Sequence, residues 1–103
     1  MRLIERQMNA AITAGKDWQK DNTKVVTIDG VSEVFLHGNK IAEIGECFVT
    51  LFDGGWQSNT TKSRLNAILR AHGNGEGIFQ KNWNWFISTS EGTVEFESGM
   101  ILA

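Results

Sequence analysis

Residues 23–44 read TKVVTIDGVSEVFLHGNKIAEI, and this stretch decides the fold that we predict. Apolar and polar residues alternate along much of it, which is the period of a β-strand. Asp29-Gly30 interrupts the alternation, and an Asp-Gly pair between two such segments is a strong signal for a β-hairpin. A second tight turn is predicted at Gly38-Asn39. The stretch therefore predicts consecutive antiparallel strands.

The predicted meander has about four strands, over residues 23–28, 31–37, 40–44 and 47–52. A helix precedes it, because Ile4, Met8, Ala11 and Ile12 recur at helical spacing. We predict this helix over residues 3–14. Gly15 is its predicted stop, since helices commonly end at a glycine.

A second helix is predicted after the meander. Leu65, Ile68, Leu69 and His72 follow the spacing of a buried helical stripe, so the helix should cover about residues 61–71. Strand-type segments at residues 78–81, 83–89 and 93–97 follow it. The fold class is therefore α+β: a single domain over residues 1–103 with an N-terminal helix, the meander, a second helix and two or three further strands.

Composition narrows the classes of function. The chain has 103 residues, is 41% hydrophobic and 21% charged, and carries a formal net charge of −2. A mildly acidic chain is unlike the strongly basic domains that coat nucleic acid. Cys47, His37 and His72 are too few ligands for a structural zinc site, so we predict no metal and no cofactor. Cys47 is predicted to be a buried, inert thiol in a reducing compartment.

The start of the second helix is the first candidate site. Residues 58–69 read SNTTKSRLNAIL, with Lys62 and Arg64 where helix starts usually carry acids. Thr60 or Thr61 is the predicted N-cap. Unpaired N–H groups, hydroxyls and cations together suit a phosphate or a carboxylate. An equally supported alternative is that the two cations are structural, because lysine and arginine at the rim of an apolar stripe often pack over the core.

The tip of the second hairpin is the second candidate. His37, Asn39 and Lys40 lie there, and they would contact the same anion if the tip approaches the helix start. Glycine and asparagine at this point are also explained by the positive φ that a tight turn needs. The structural alternative for His37 is a partly buried side chain.

Tryptophans are unusually frequent in so short a chain. Trp83, Trp85 and Ile87 alternate along one predicted strand, which favours burial in the core or in a subunit interface. We therefore expect a homo-oligomer. Alternatively, the aromatic side chains would suit stacking on nucleobases, and the neighbouring polar residues would suit hydrogen bonding to the base edges.

Three segments resemble a group of short proteins encoded by tailed bacteriophages. They are NTKV at residues 22–25, VFLHGNKIA at residues 34–42, and GWxxxTTKSRLNAI at residues 55–68. The likeness covers most of the chain. It implies a phage origin and a setting in the host cell cytoplasm, and it carries no catalytic motif.

Our first functional hypothesis is a non-enzymatic phage protein that sequesters a small phosphorylated nucleotide, such as a host immune signal, at the start of the second helix. The predicted ligand-binding residues are Thr60, Thr61, Lys62, Arg64, His37, Asn39 and Lys40. The alternative is a phage protein that inhibits a host protein or binds nucleic acid weakly. An enzyme is the third hypothesis, with His37 as general base and Lys62 or Arg64 holding charge.

Overall fold

The computed structural model describes residues 1–103 and confirms the predicted α+β fold. Its elements, in chain order, are α1 Leu3–Ala14, β1 Trp18–Lys20, β2 Thr23–Ile28, β3 Val31–Leu36, β4 Asn39–Ile44, β5 Val49–Leu51, α2 Asn59–His72, β6 Gly77–Lys81, β7 Asn84–Thr89, β8 Gly92–Glu95 and β9 Met100–Leu102. The first helix has the predicted bounds, and Gly15 ends it in the left-handed conformation at φ 65°.

Nine strands form two antiparallel sheets. Six of them lie in the order β1-β2-β3-β4-β5-β9, and the other three lie in the order β6-β7-β8. The outermost strands of the larger sheet, β1 and β9, were not predicted. Each has only three residues, which is too short to show an alternating pattern, and β9 joins β5 only after the chain has made α2 and the whole second sheet.

The hairpin turns explain the registers. Asp29 and Gly30 have φ values of 51° and 80°, as the predicted two-residue turn requires. In the next hairpin the two turn residues are His37 and Gly38, with φ values of 52° and 79°. The prediction that Gly38-Asn39 forms this turn was therefore wrong by one residue, and Asn39 is the first residue of β4.

A β-bulge in β4 determines which side chains face inward. Phe35 pairs with Lys40 and Val34 pairs with Ala42, so Ile41 is an additional residue on its strand. As a result Ile41 and Ala42 are both buried, whereas Lys40 points to the outer face of the sheet. The bulge thus shifts the residues near the β3–β4 turn out of the regular alternation.

A single apolar core of 19 buried residues joins both helices and both sheets. The two helices lie side by side and run parallel, because Glu5 contacts Ser63 while Asn9, one turn later, contacts Ala67. Both helices therefore begin at the same end of the molecule.

A buried ion pair ties this end together. The Arg64 Nη1 atom lies 2.8 Å from Glu5 Oε2, and each side chain is only 4% exposed. Arg64 also donates from Nε to Thr23 Oγ1 at 3.0 Å and from Nη2 to Asn22 Oδ1 at 3.3 Å. The guanidinium consequently joins α2 to α1 and to the start of β2.

The carboxyl of Glu5 is stabilised in its charged form. Burial by itself raises its pKa, but hydrogen bonds from Ser63 and Arg64 and the guanidinium charge outweigh burial, so the pKa lies below its ordinary value of 4.5. The Ser63 Oγ donates to Glu5 Oε2 at 2.6 Å.

We expect Arg64→Ala to lower the free energy of unfolding by about 3–5 kcal/mol, because it leaves the buried Glu5 carboxylate without its partner. Urea denaturation measures this loss. Lys62→Ala is the matched control, and it should change the stability by less than about 0.5 kcal/mol, because Lys62 makes no salt bridge. Equal effects of the two substitutions would contradict the assigned role of Arg64.

The pair should also make the stability depend on pH. Because the folded pKa of Glu5 is lowered, the unfolded state binds more protons below pH 4.5, and the stabilisation is lost as the pH falls through the folded pKa. Above 4.5 it is fully present. Glu5→Gln should remove this part of the acid dependence, whereas substitution of the exposed Glu91 by Gln should leave it intact. Denaturation at a series of acidic pH values tests both.

Candidate functional site

A groove opens between the β3–β4 turn and the start of α2. Its volume is about 480 Å³, and it is lined by Leu36, His37, Asn39, Ile41, Asp53, Gly54, Trp56, Ser58, Thr60 and Thr61. The sequence could not establish whether the hairpin tip approaches the second helix. In the structure His37 and Asn39 of the tip line the same groove as Thr60 and Thr61 of the helix start.

The helix start differs from the prediction in its cap. α2 begins at Asn59, and its N-cap is Ser58, whose Oγ accepts a hydrogen bond from the Thr61 backbone N–H at 3.1 Å. The prediction of Thr60 or Thr61 as N-cap was wrong because the helix starts two residues earlier than expected. Consequently Lys62 lies at the end of the first turn and Arg64 lies in the second.

Thr60 and Thr61 have different environments. Thr61 is buried, and its hydroxyl lies 2.9 Å from Ser58 Oγ and donates to the Trp56 carbonyl oxygen at 3.3 Å. Thr60 is half-buried and faces the groove. The first turn of α2 holds no acidic side chain, so the positive end of the helix dipole is not neutralised within the helix.

The loop before α2 forms one wall of the groove. Asp53 Oδ1 accepts from the Gly55 N–H at 2.8 Å, and Asp53 Oδ2 lies 3.4 Å from Gln57 Nε2. Gly54 and Gly55 have φ values of 69° and 86°, a conformation that favours glycine. This turn leaves the Trp56 indole 76% exposed.

Sequence reasoning missed Asp53 and Trp56 as groove residues. The available signal was the sequence DGGW directly before the second helix, since two glycines force a turn and deliver the next side chain to the surface.

The hairpin tip forms the opposite wall. His37 is exposed rather than partly buried, and its backbone N–H donates to the Asn22 carbonyl oxygen at 2.8 Å. Asn39 is exposed at the start of β4, and the bulged Ile41 lies below it as an apolar lining residue. The groove therefore has an apolar floor and polar rims.

Three predicted cations do not line the groove. Arg64 is buried in its pair with Glu5, and Lys62 is half-buried one position beyond Thr61. Lys40 lies on the outer face of the sheet, where its Nζ is 2.8 Å from Glu43 Oε2 and 3.1 Å from Glu33 Oε2. Hydrogen bonds to Glu43 and Glu33 outweigh desolvation and raise the pKa of the Lys40 amine.

Two further predictions about single side chains were wrong. Trp83 does not share a strand face with the buried Trp85 and Ile87; it lies in the β6–β7 turn at φ 69° and is 90% exposed. Cys47 is exposed because it lies in the loop before β5 rather than in the strand.

The comparisons with known proteins give the family. A sequence profile of the Kyanoviridae Gp96 protein family matches residues 1–103. The chain belongs to the Kyanoviridae Gp96 family. The inferred phage origin is thereby confirmed. No curated protein and no solved structure matches the chain.

The two helices of this Gp96-family protein have 12 and 14 residues, and neither has the length and apolar composition of a transmembrane helix. The candidate site is the groove at the start of α2. Ser58 caps this helix and also lines the groove.

We expect Ser58→Ala to lower the free energy of unfolding by about 1 kcal/mol, because it removes the acceptor for the Thr61 N–H. Ser58→Asn and Ser58→Asp should retain most of the stability, since both side chains cap helices well. Asn59→Ala, at the neighbouring exposed position, is the control. Urea denaturation of the four variants separates them, and wild-type stability of Ser58→Ala would show that the cap is energetically unimportant.

Proposed function

We propose that this phage protein binds a small phosphorylated nucleotide in the groove at the start of α2. One observation supports the proposal. A helix start without acidic side chains, the polar side chains of the hairpin tip and an exposed indole surround one cavity of about 480 Å³. Pockets for small molecules generally have volumes of about 300–1,000 Å³. A nucleotide has an anionic end and a flat aromatic end, and the groove has a counterpart for each.

The phosphate end fits the start of α2. The first N–H groups of a helix have no partner within the helix, and they attract anions together with the positive end of the dipole. Thr60 adds a hydroxyl from the helix and His37 adds an imidazole from the opposite wall. No acidic side chain of the first turn competes for these donors.

The base end fits the wall that carries Trp56. An indole that is 76% exposed offers a stacking surface, and base–aromatic stacking is worth about 1–3 kcal/mol per base. Leu36 and Ile41 supply apolar contact below it. Asp53 and Asn39 supply acceptors and donors for a sugar hydroxyl or for the edge of a base.

The proposed ligand set is therefore narrower than the one derived from the sequence. It retains His37, Asn39 and Thr60, and it adds Asp53 and Trp56. Thr61 supports the site from below, through its hydrogen bonds to Ser58 and Trp56. The paired Lys40 and Arg64 and the more distant Lys62 are left outside it.

The proposed biological role is sequestration. A phage protein in the host cytoplasm that holds a nucleotide signal withdraws it from host proteins, and it needs no chemical step to do so. In this role the groove is a binding site rather than a catalytic one.

Thermal unfolding with a panel of linear and cyclic nucleotides tests the proposal. A nucleotide that binds the native state should raise the unfolding temperature, and at 100 times its Kd it should add about 2.7 kcal/mol of stability. The corresponding nucleoside, which lacks phosphate, should have a much smaller effect. The same nucleotide should quench tryptophan fluorescence, and Trp56→Ala should remove that quenching.

A pair of cap variants makes the test specific for the anion. Ser58→Asp keeps the helix cap but adds a negative charge at the helix start, so it should fold normally and lose nucleotide binding. Ser58→Asn keeps the cap without the charge and should bind as the wild type does. The proposal fails if no nucleotide stabilises the protein, or if Ser58→Asp binds as well as Ser58→Asn.

A further inference from the structure

We propose that the outer face of the three-stranded sheet is the interface between two copies of this chain. We call it the aromatic face and define it by Phe79 and Phe86 with the flanking Lys81, Glu95 and Glu97. This inference is independent of the groove, which lies at the start of α2, and it goes beyond the proposed nucleotide binding.

The centre of the aromatic face is apolar and open to solvent. Phe79 and Phe86 are directly paired across β6 and β7, and their rings stack with centroids 5.7 Å apart and planes 24° from parallel. Phe79 is 38% exposed. The residues of opposite orientation, Trp85 and Ile87, are buried in the core, so this small sheet has apolar side chains on both faces. Phe86 is half-buried, so the aromatic pair is partly exposed at the centre of the face.

The charges on either side of the aromatic pair are opposite in sign. On the β6 side Lys81 is exposed, and a shallow groove beside Phe79 is lined by both Arg70 and Glu76, so the net positive charge of this margin lies at Lys81. On the β8 side Glu95 is exposed and pairs in register with Phe86. The neighbouring Glu97 is also exposed. The face is therefore basic at one margin, aromatic in the middle and acidic at the other margin.

Such a charge pattern is self-complementary under two-fold symmetry. A rotation of 180° about an axis along β7 brings β6 of one copy over β8 of the other, and Phe86 over its own symmetry mate. Because Lys81 pairs with Asn84 and Glu95 pairs with Phe86, Lys81 then lies at the level of Glu97 of the partner subunit, two residues beyond Glu95, and the contact is formed twice. Because the charge pattern complements itself, it favours a second copy of the chain over an unrelated protein as the partner at this face.

The geometry favours packing face to face over pairing of strand edges at β6. Asn66 of α2 donates from Nδ2 to the Ile78 carbonyl oxygen at 2.9 Å and accepts from the Ile78 N–H at 2.7 Å. Its amide thus occupies the backbone groups through which another strand would pair at this point of the edge. The exposed side chains of the face remain available.

Sedimentation of the full chain at low salt, from micromolar to millimolar concentration, tests the proposal. The wild type should pass from monomer to dimer, because a face of three short strands gives an interface near the small end of the observed range. Lys81→Glu and Glu97→Lys should each weaken self-association by about ten-fold or more, since each places like charges opposite one another twice. Lys20→Glu, an exposed substitution on the larger sheet, changes the net charge by the same amount as Lys81→Glu and should have no effect.

Combining the two charge-reversal variants tests the proposed contact more specifically. An equimolar mixture of Lys81→Glu and Glu97→Lys should form a heterodimer, and the double variant should regain the wild-type affinity, because both restore opposite charges across the interface. Phe79→Ser should weaken the dimer, whereas Ile101→Ser, at a residue 67% exposed on the other sheet, should not. A wild type that stays monomeric, or single charge variants that do not differ from Lys20→Glu, would overturn the proposal. Nucleotide-dependent stabilisation is a separate readout that neither outcome alters.

Discussion

The buried pair between Glu5 and Arg64 is the interaction on which the rest of the structure depends. It joins the two helices where both begin, and through Asn22 and Thr23 the same guanidinium fixes the β1–β2 turn. The Asn22 carbonyl in turn accepts from the N–H of His37. A continuous set of hydrogen bonds therefore leads from α2 to the hairpin tip, the two elements between which the groove opens.

This arrangement resolves the charge pattern near the start of the second helix. The sequence has cations there and no acid, and the two explanations were anion binding and packing at the helix rim. For Arg64 the structure gives a third answer, since the missing acid is supplied by Glu5 of α1, almost sixty residues earlier in the chain. The guanidinium compensates a buried carboxylate.

The sequence predicts best what local chemistry determines. The bounds of α1 follow from its apolar spacing and Gly15, and the first hairpin follows from Asp29-Gly30. Prediction from the sequence fails where contacts between distant segments determine the structure. The strand β9 is a strand through its pairing with the distant β5, and the partner of Arg64 depends on how the helices pack.

The candidate site was predictable only in part for the same reason. Thr60, His37 and Asn39 were recognised by residue type, but their convergence with Trp56 results from the bulge at Ile41 and from the turn at Gly54 and Gly55, whose spatial effect no local pattern specifies. The cap at Ser58 was missed because a run of hydroxyl residues offers several capping positions of similar quality.

The helix α2 connects the two surfaces for which functions are proposed. Its first turn lines the groove, and in its second half Asn66 bonds to the backbone of Ile78 in β6. These two hydrogen bonds replace those of a neighbouring strand, so the smaller sheet is held against the helix by backbone contacts as well as by its buried side chains. Because Phe79 follows Ile78 directly, the orientation of the aromatic face is set by the same contact. The helix α2 therefore positions both surfaces, the groove through its first turn and the aromatic face through Asn66.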